Sequence, residues 1–76
     1  MSIFIYSTPT CPYCKQAKEY LAEKKIPFQE INVADDLGKQ REMIEKSGQL
    51  GVPVIDINGT IIIGFDKAKI DRALGL

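Results

Sequence analysis

Val54-Ile55-Asp56-Ile57-Asn58-Gly59-Thr60-Ile61-Ile62-Ile63 is the stretch that decides the fold. Asn-Gly is the preferred pair for a two-residue type I′ turn, so Asn58-Gly59 joins two antiparallel strands, Val54 to Ile57 and Thr60 to Ile63. Pairing Ile57 with Thr60 sets Ile55, Ile57 and Ile62 on one face of the hairpin and Val54, Ile61 and Ile63 on the other. Both faces are apolar, so both must be covered. Helices on either side of a mixed sheet meet that demand.

The flanking chain supplies those helices. Downstream, Asp66 reads as an N-cap, Ile70, Ala73 and Leu74 as a buried stripe, and Gly75 as the C′ stop. Upstream, Ile3 to Tyr6 reads as a buried strand, followed by a helix carrying Cys14, Ala17 and Leu21 on one stripe with Tyr13 and Tyr20 beside it. Lys18, Glu19, Glu23 and Lys24 fall largely on its wet side. Pro27 is expected to end this helix, because the residue before a proline is pushed out of the α region. Phe28 to Val33 is then a second strand, closing a βαβ unit. Asp35 or Asp36 caps a helix reaching about Lys46, with Leu37, Met43 and Ile44 as its apolar contribution and Ser47-Gly48 as its stop. The order is β-α-β-α-β-β-α, an α/β arrangement in which residues 1–76 form one domain.

The chemistry lies at the first strand-to-helix junction, Cys11-Pro12-Tyr13-Cys14. Proline is favoured at the first helical position, which makes Cys11 the N-cap. A cap is normally an oxygen accepting the free N–H groups of the first turn; a thiolate can accept them instead, with the helix dipole assisting. The second thiol follows from helix geometry, since residues three apart have Cβ atoms about 5 to 6 Å apart against about 4 Å in a disulfide. A small adjustment at the cap closes the bond. Cys11, at the exposed tip, is therefore expected to attack substrate disulfides, and Cys14, one turn in, to resolve the mixed disulfide.

Composition narrows the partners. Ten basic and ten acidic residues cancel, which suggests neither a nucleic-acid surface nor a polybasic membrane patch. The start of the chain lacks the basic and long apolar regions of a secretory signal, and no run approaches membrane-spanning length. The expectation is a cytoplasmic monomer, in a compartment where disulfides are mostly transient and catalytic. Two cysteines and no histidine fall short of the four ligands of a structural zinc site, so no metal is expected within one chain.

This element order, with Cys-Pro-Tyr-Cys after the first strand, resembles the glutaredoxins, small members of the thioredoxin fold, in which a four-stranded mixed sheet carries helices on both faces. The resemblance spans the chain on three landmarks: Thr10-Cys11-Pro12-Tyr13-Cys14, Ser47-Gly48-Gln49-Leu50-Gly51-Val52-Pro53, and Ile63-Gly64-Phe65-Asp66. It implies a cis Pro53 facing the active site, with the Val52 backbone free to pair with glutathione as an added short strand. It further implies that Tyr13 flanks the tripeptide, that Gln49 lies near its glycine carboxylate, and that Phe65 and Asp66 meet its γ-glutamyl end. Independently of the family, Gly64 permits close backbone approach, and the N–H groups starting the last helix suit a carboxylate.

The implied activity is reduction of protein disulfides and glutathione mixed disulfides, with glutathione as co-substrate and no tightly bound cofactor. Thr8 stands where many members carry Lys or Arg, leaving Lys15 or Lys18 to supply that cation. Two alternatives follow from the same resemblance. The Gly-Val-Pro and Gly-Phe-Asp stretches also look like NrdH-type redoxins, which take electrons from thioredoxin reductase, and some glutaredoxins hold an iron-sulfur cluster between two chains with glutathione as additional ligand.

Overall fold

The computed structural model describes residues 2–49 and 51–75; Leu50, within the second landmark, lies outside them. Seven elements follow in order: β1 (Ile3–Ser7), α1 (Pro12–Glu23), β2 (Gln29–Asn32), α2 (Leu37–Ser47), β3 (Val54–Ile57), β4 (Thr60–Ile63) and α3 (Lys67–Leu74). The strands form one sheet in the order β2-β1-β3-β4. β1 runs parallel to β2 and antiparallel to β3, which pairs antiparallel with β4. This is the mixed sheet with covering helices expected from the hairpin, with the Ile57–Thr60 register as read, and the thioredoxin-like arrangement that the resemblance implied.

Strand alternation sorts the core into two layers. Ile3, Ile5, Ile55, Ile57 and Ile62 pack with Ala17 and Leu21 of α1 and Ile70 of α3. On the other face Tyr6, Val33 and Val54 pack with Met43 of α2. The first layer is richer in apolar groups, and two helices cover it.

Two boundaries or contacts differ from expectation. α1 stops at Glu23, four residues before Pro27. Lys25 takes a left-handed φ of 58°, and the Lys25 and Ile26 amides donate to the Ala22 and Leu21 carbonyls at 3.0 Å each. This is a Schellman-like closure with Ile26 as its apolar contact against the core. Proline therefore follows a stop already made. In α2, Leu37 and Ile44 are exposed and Met43 alone is buried. At about 100° per residue, Leu37 lies six positions and some 120° away from Met43 around the helix, so the inward stripe runs through Gln40, Met43 and Ser47.

That polar underside of α2 meets a polar centre in the sheet. Lys46 Nζ donates to Tyr6 Oη (2.8 Å) and to Asp56 Oδ2 (2.9 Å), and Tyr6 Oη donates to Glu42 Oε2 (2.8 Å). Asp56 sits buried in β3, where its Oδ1 also accepts the Gly59 amide of the turn at 2.8 Å. The Lys46 ammonium lies 5.3 Å from the Tyr6 ring centroid and 5.6 Å from that of Phe4, within cation–π range.

Candidate active site

The site is assembled where β1, α1 and the approach to β3 meet. Cys11 is the N-cap of α1, with extended backbone (φ −92°, ψ 112°) and Pro12 at the first helical position. Its Sγ accepts the Cys14 amide at 3.2 Å, the bond a capping oxygen would otherwise make. The first turn of α1 contains no acidic residue, so nothing there opposes a negative charge at the helix N-terminus. Thr8 holds the loop by accepting the Cys11 amide through its carbonyl at 3.3 Å.

Cys14 is fully buried and Cys11 partly exposed. Burial pushes the Cys14 thiol up to about 12, and the hydrogen bond to Cys11 adds to the rise. The Thr8 backbone and the charge of Lys18 act in the opposite direction. Lys18, one turn beyond Cys14, is not simply on the wet side: its Nζ donates to Glu30 Oε2 at 2.7 Å, and the buried Ser7 hydroxyl donates to the same oxygen at 2.9 Å. These two donors, Lys18 first, hold the Glu30 carboxyl below its ordinary range. Sequence reading overlooked this Ser7-Glu30-Lys18 link; the available signal was a polar residue closing an otherwise apolar β1.

The fold brings the second landmark to the cysteines. The Val52 carbonyl lies 3.8 Å from Cys11 Sγ although the residues are 41 apart in the chain. Val52-Pro53 is a cis peptide bond, Pro53 is buried, and its carbonyl accepts the Gly64 amide at 2.8 Å. Gly64 has φ 77°, which favours glycine. Cys11, Cys14, Val52, Pro53 and Gly64 thus form one connected group.

The other expected residues have differing roles in the structure. Tyr13 is 61% exposed beside the motif. Gln49 is held by its backbone, its amide donating to Ser47 Oγ at 3.3 Å. Phe65 packs against the first core layer and edge-on to Tyr20, with ring centroids 5.9 Å apart. Asp66 caps α3 through Oδ1, which accepts the Lys69 amide at 3.1 Å. Phe65 therefore has a structural task whatever it touches, and Asp66 likewise.

A family model described as glutaredoxin matches residues 3–62, taking in both cysteines and the Val52-Pro53 turn. The chain belongs to the glutaredoxin family. As a glutaredoxin it is a thiol-disulfide oxidoreductase, the activity shared by its relatives. An uncharacterised glutaredoxin-like 8.6 kDa protein in the rubredoxin operon of Clostridium pasteurianum is 58% identical over 72 residues, 95% of this chain and 96% of that protein. Glutaredoxin 3 of Escherichia coli K12 is 42% identical over 65 residues, 86% of this chain and 78% of the relative. Among solved structures, the glutaredoxin-like NrdH-redoxin of Escherichia coli superposes with a TM-score of 0.81 at 28% identity, covering 95% of this chain and 93% of that one.

The charge environment of Cys14 leads to a prediction. Cys14 can react only as a thiolate, and the charge of Lys18 favours that form, though it is the smallest of the influences on this thiol. Lys18→Met is expected to slow dithiol reduction several-fold at neutral pH and to move its pH profile upward, while sparing reactions that need Cys11 alone. Stopped-flow rates between pH 6 and 9 check this; an unshifted profile would remove Lys18 from the step.

Proposed function

We propose that this glutaredoxin is a cytoplasmic, monomeric, glutathione-dependent reductase of protein disulfides and glutathione mixed disulfides, with Cys11 as nucleophile and Cys14 as resolving thiol. The observation that carries the reading is the unequal placement of the two sulfurs, one capping α1 in partial contact with solvent and one sealed beneath it.

The Cys11 thiolate attacks one sulfur of the substrate disulfide, that S–S bond breaks, and the departing thiolate takes a proton. Cys14, once deprotonated, attacks Cys11 Sγ and releases the second substrate thiol. The substrate gains two electrons, and Cys11-Cys14 is left as a disulfide. Two glutathiones then return those electrons and leave as glutathione disulfide. In a glutathionylated substrate, Cys11 takes the glutathionyl sulfur and a second glutathione resolves the intermediate without Cys14.

For glutathione itself, the Val52 backbone lies beside Cys11, and Tyr13, Gln49, Pro53, Gly64, Phe65 and Asp66 complete the proposed site. The amides starting α3 suit the γ-glutamyl carboxylate. Lys18 is committed to Glu30, so Lys15 is the nearer choice for a cation at the glycine carboxylate.

The second reading is an NrdH-type redoxin reduced by thioredoxin reductase. It draws support from the likeness to NrdH-redoxin, whose structural report attributes to that protein a thioredoxin-like activity profile, and from Thr8 in place of a basic residue. The deciding measurement is NADPH consumption with a mixed-disulfide substrate, once with glutathione and glutathione reductase and once with thioredoxin reductase. Turnover with glutathione is expected. Turnover with thioredoxin reductase alone would transfer the protein to the second reading.

A further inference from the structure

The two edges of the sheet are treated differently. β2 carries Gln29 and Glu30, with Glu30 tied to Lys18, and such charges discourage pairing with another chain. β4, at the opposite edge, reads Thr60-Ile61-Ile62-Ile63 and bears no charge. Its hydrogen-bonding phase follows from the Gly64 amide, which donates inward to Pro53. Thr60 and Ile62, in step with Gly64, face β3; the backbone N–H and C=O groups of Ile61 and Ile63 point away from the sheet. Ile63 is 49% exposed.

Beside this edge lies a groove of about 480 Å³ lined by Thr60, Ile61, Ile62, Lys69, Arg72 and Ala73. Its floor is apolar and its only charged groups are the two cations of α3. Neither forms an ion pair among the described residues, whereas the neighbouring Lys67 is neutralised by Asp71 at 3.0 Å. Strand addition to β4 is therefore available to a chain that brings carboxylates to Lys69 and Arg72. A second copy of this protein would bring the same two cations to the same side, which disfavours it.

We propose that the β4 edge and the Lys69-Arg72 groove form a docking surface for an extended acidic segment of the protein substrate. The inference rests on the disulfide-reductase reading and specifies its substrate class: disulfide proteins whose reactive cysteine adjoins an acidic, strand-forming stretch. The path to the chemistry is short. β4 spans about 14 Å at 3.4 Å per residue and runs into Gly64, which is bonded to Pro53, next to the carbonyl that faces Cys11. Backbone pairing supplies affinity and the cations supply selection, as in other β-augmentation sites.

The test uses pre-reduced full-length protein in single turnover, so that no electron donor enters. Three substrates are compared: bis(2-hydroxyethyl) disulfide, a cysteine peptide with an eight-residue alternating Glu-Val arm in disulfide with mercaptoethanol, and the same peptide with Lys in place of Glu. The acidic arm is expected to react about tenfold faster than the basic one at low salt. Lys69→Glu/Arg72→Glu should reverse that order without changing the rate on bis(2-hydroxyethyl) disulfide. A cysteine-to-serine version of the acidic peptide should shift the Ile61 and Ile63 amide resonances, and Ile63→Pro should weaken its binding. Equal rates for the two arms, or shifts centred on Val52 instead, would overturn the docking surface while leaving the redox reading intact. Self-association that broadens Ile61 and Ile63 without peptide would also overturn it, in favour of a second copy. Failure on bis(2-hydroxyethyl) disulfide would sink the redox reading and the docking surface with it.

Discussion

Cys11→Ser should abolish reduction of both protein disulfides and glutathione mixed disulfides, a loss of at least about a thousandfold given that an alcohol at this position is not ionised near neutral pH. Cys14→Ser should behave differently: deglutathionylation survives and dithiol reduction falls steeply. The asymmetry has a structural origin. Cys11 Sγ receives the Cys14 amide and is partly open to solvent, whereas Cys14 is sealed and its thiol is pushed up to about 12 by burial. A substrate disulfide can reach only the first. On the proposed mechanism the second acts once a mixed disulfide has formed at Cys11, within the same turn of helix. Serine at position 11 can still cap α1, so the loss should occur without loss of fold, and circular dichroism separates the two. Equal loss of both activities in the two variants would refute the division of labour.

How far this arrangement could be read from the chain depends on the kind of signal each part leaves. The hairpin was legible because Asn58-Gly59 is a local instruction and short β-branched runs flank it on either side. α1 was legible at its start, where Pro12 names the first helical position, and less so at its end. There Lys25 adopts the left-handed turn that glycine usually marks, and the true stop is a backbone closure stabilised by Ile26 packing. In α2 the apolar residues Leu37 and Ile44 do not lie on the stripe that faces the sheet, so counting them overstated its apolar face. Cap and cysteines could be placed locally. The proximity of Val52 to Cys11 could not, since it depends on β3 lying beside β1, and only the family resemblance anticipated it. Asp56 left a signal that went unused: one acid in a strand whose neighbours on both sides are apolar requires a partner, and Lys46, ten residues earlier, supplies it.

That partnership governs the largest stability effect expected. Asp56→Ala should destabilise the protein by about 2 to 4 kcal/mol, combining a partly buried ion pair with the turn bond to Gly59. The lower end of the scale for buried pairs applies because the Lys46 side chain is one-third exposed and can recover some hydration. Against a total of about 4 to 11 kcal/mol for a chain of this length, the loss is severe. Lys46→Met should cost a similar amount, since it leaves the Asp56 carboxylate, with its side chain only 10% exposed, without a cation. The double variant Lys46→Met/Asp56→Val should recover much of both losses, because it removes the charges together and leaves neither stranded.

A pH dependence accompanies the pair. The hydrogen bonds to Tyr6 and Asp56 raise the Lys46 ammonium above its ordinary value, and burial raises the Tyr6 phenol. A group raised in the folded state stabilises it fully below its unfolded value, near 10 for both residues, and loses that contribution as pH climbs through the folded value. Stability should therefore fall above about pH 10, and the Lys46 part of that decline should be missing in the double variant. Urea midpoints of the four proteins from pH 7 to 11 measure both effects. Strictly additive losses would show that Lys46 and Asp56 act separately, with the strength of this layer lying in Tyr6, Val33, Met43 and Val54 alone.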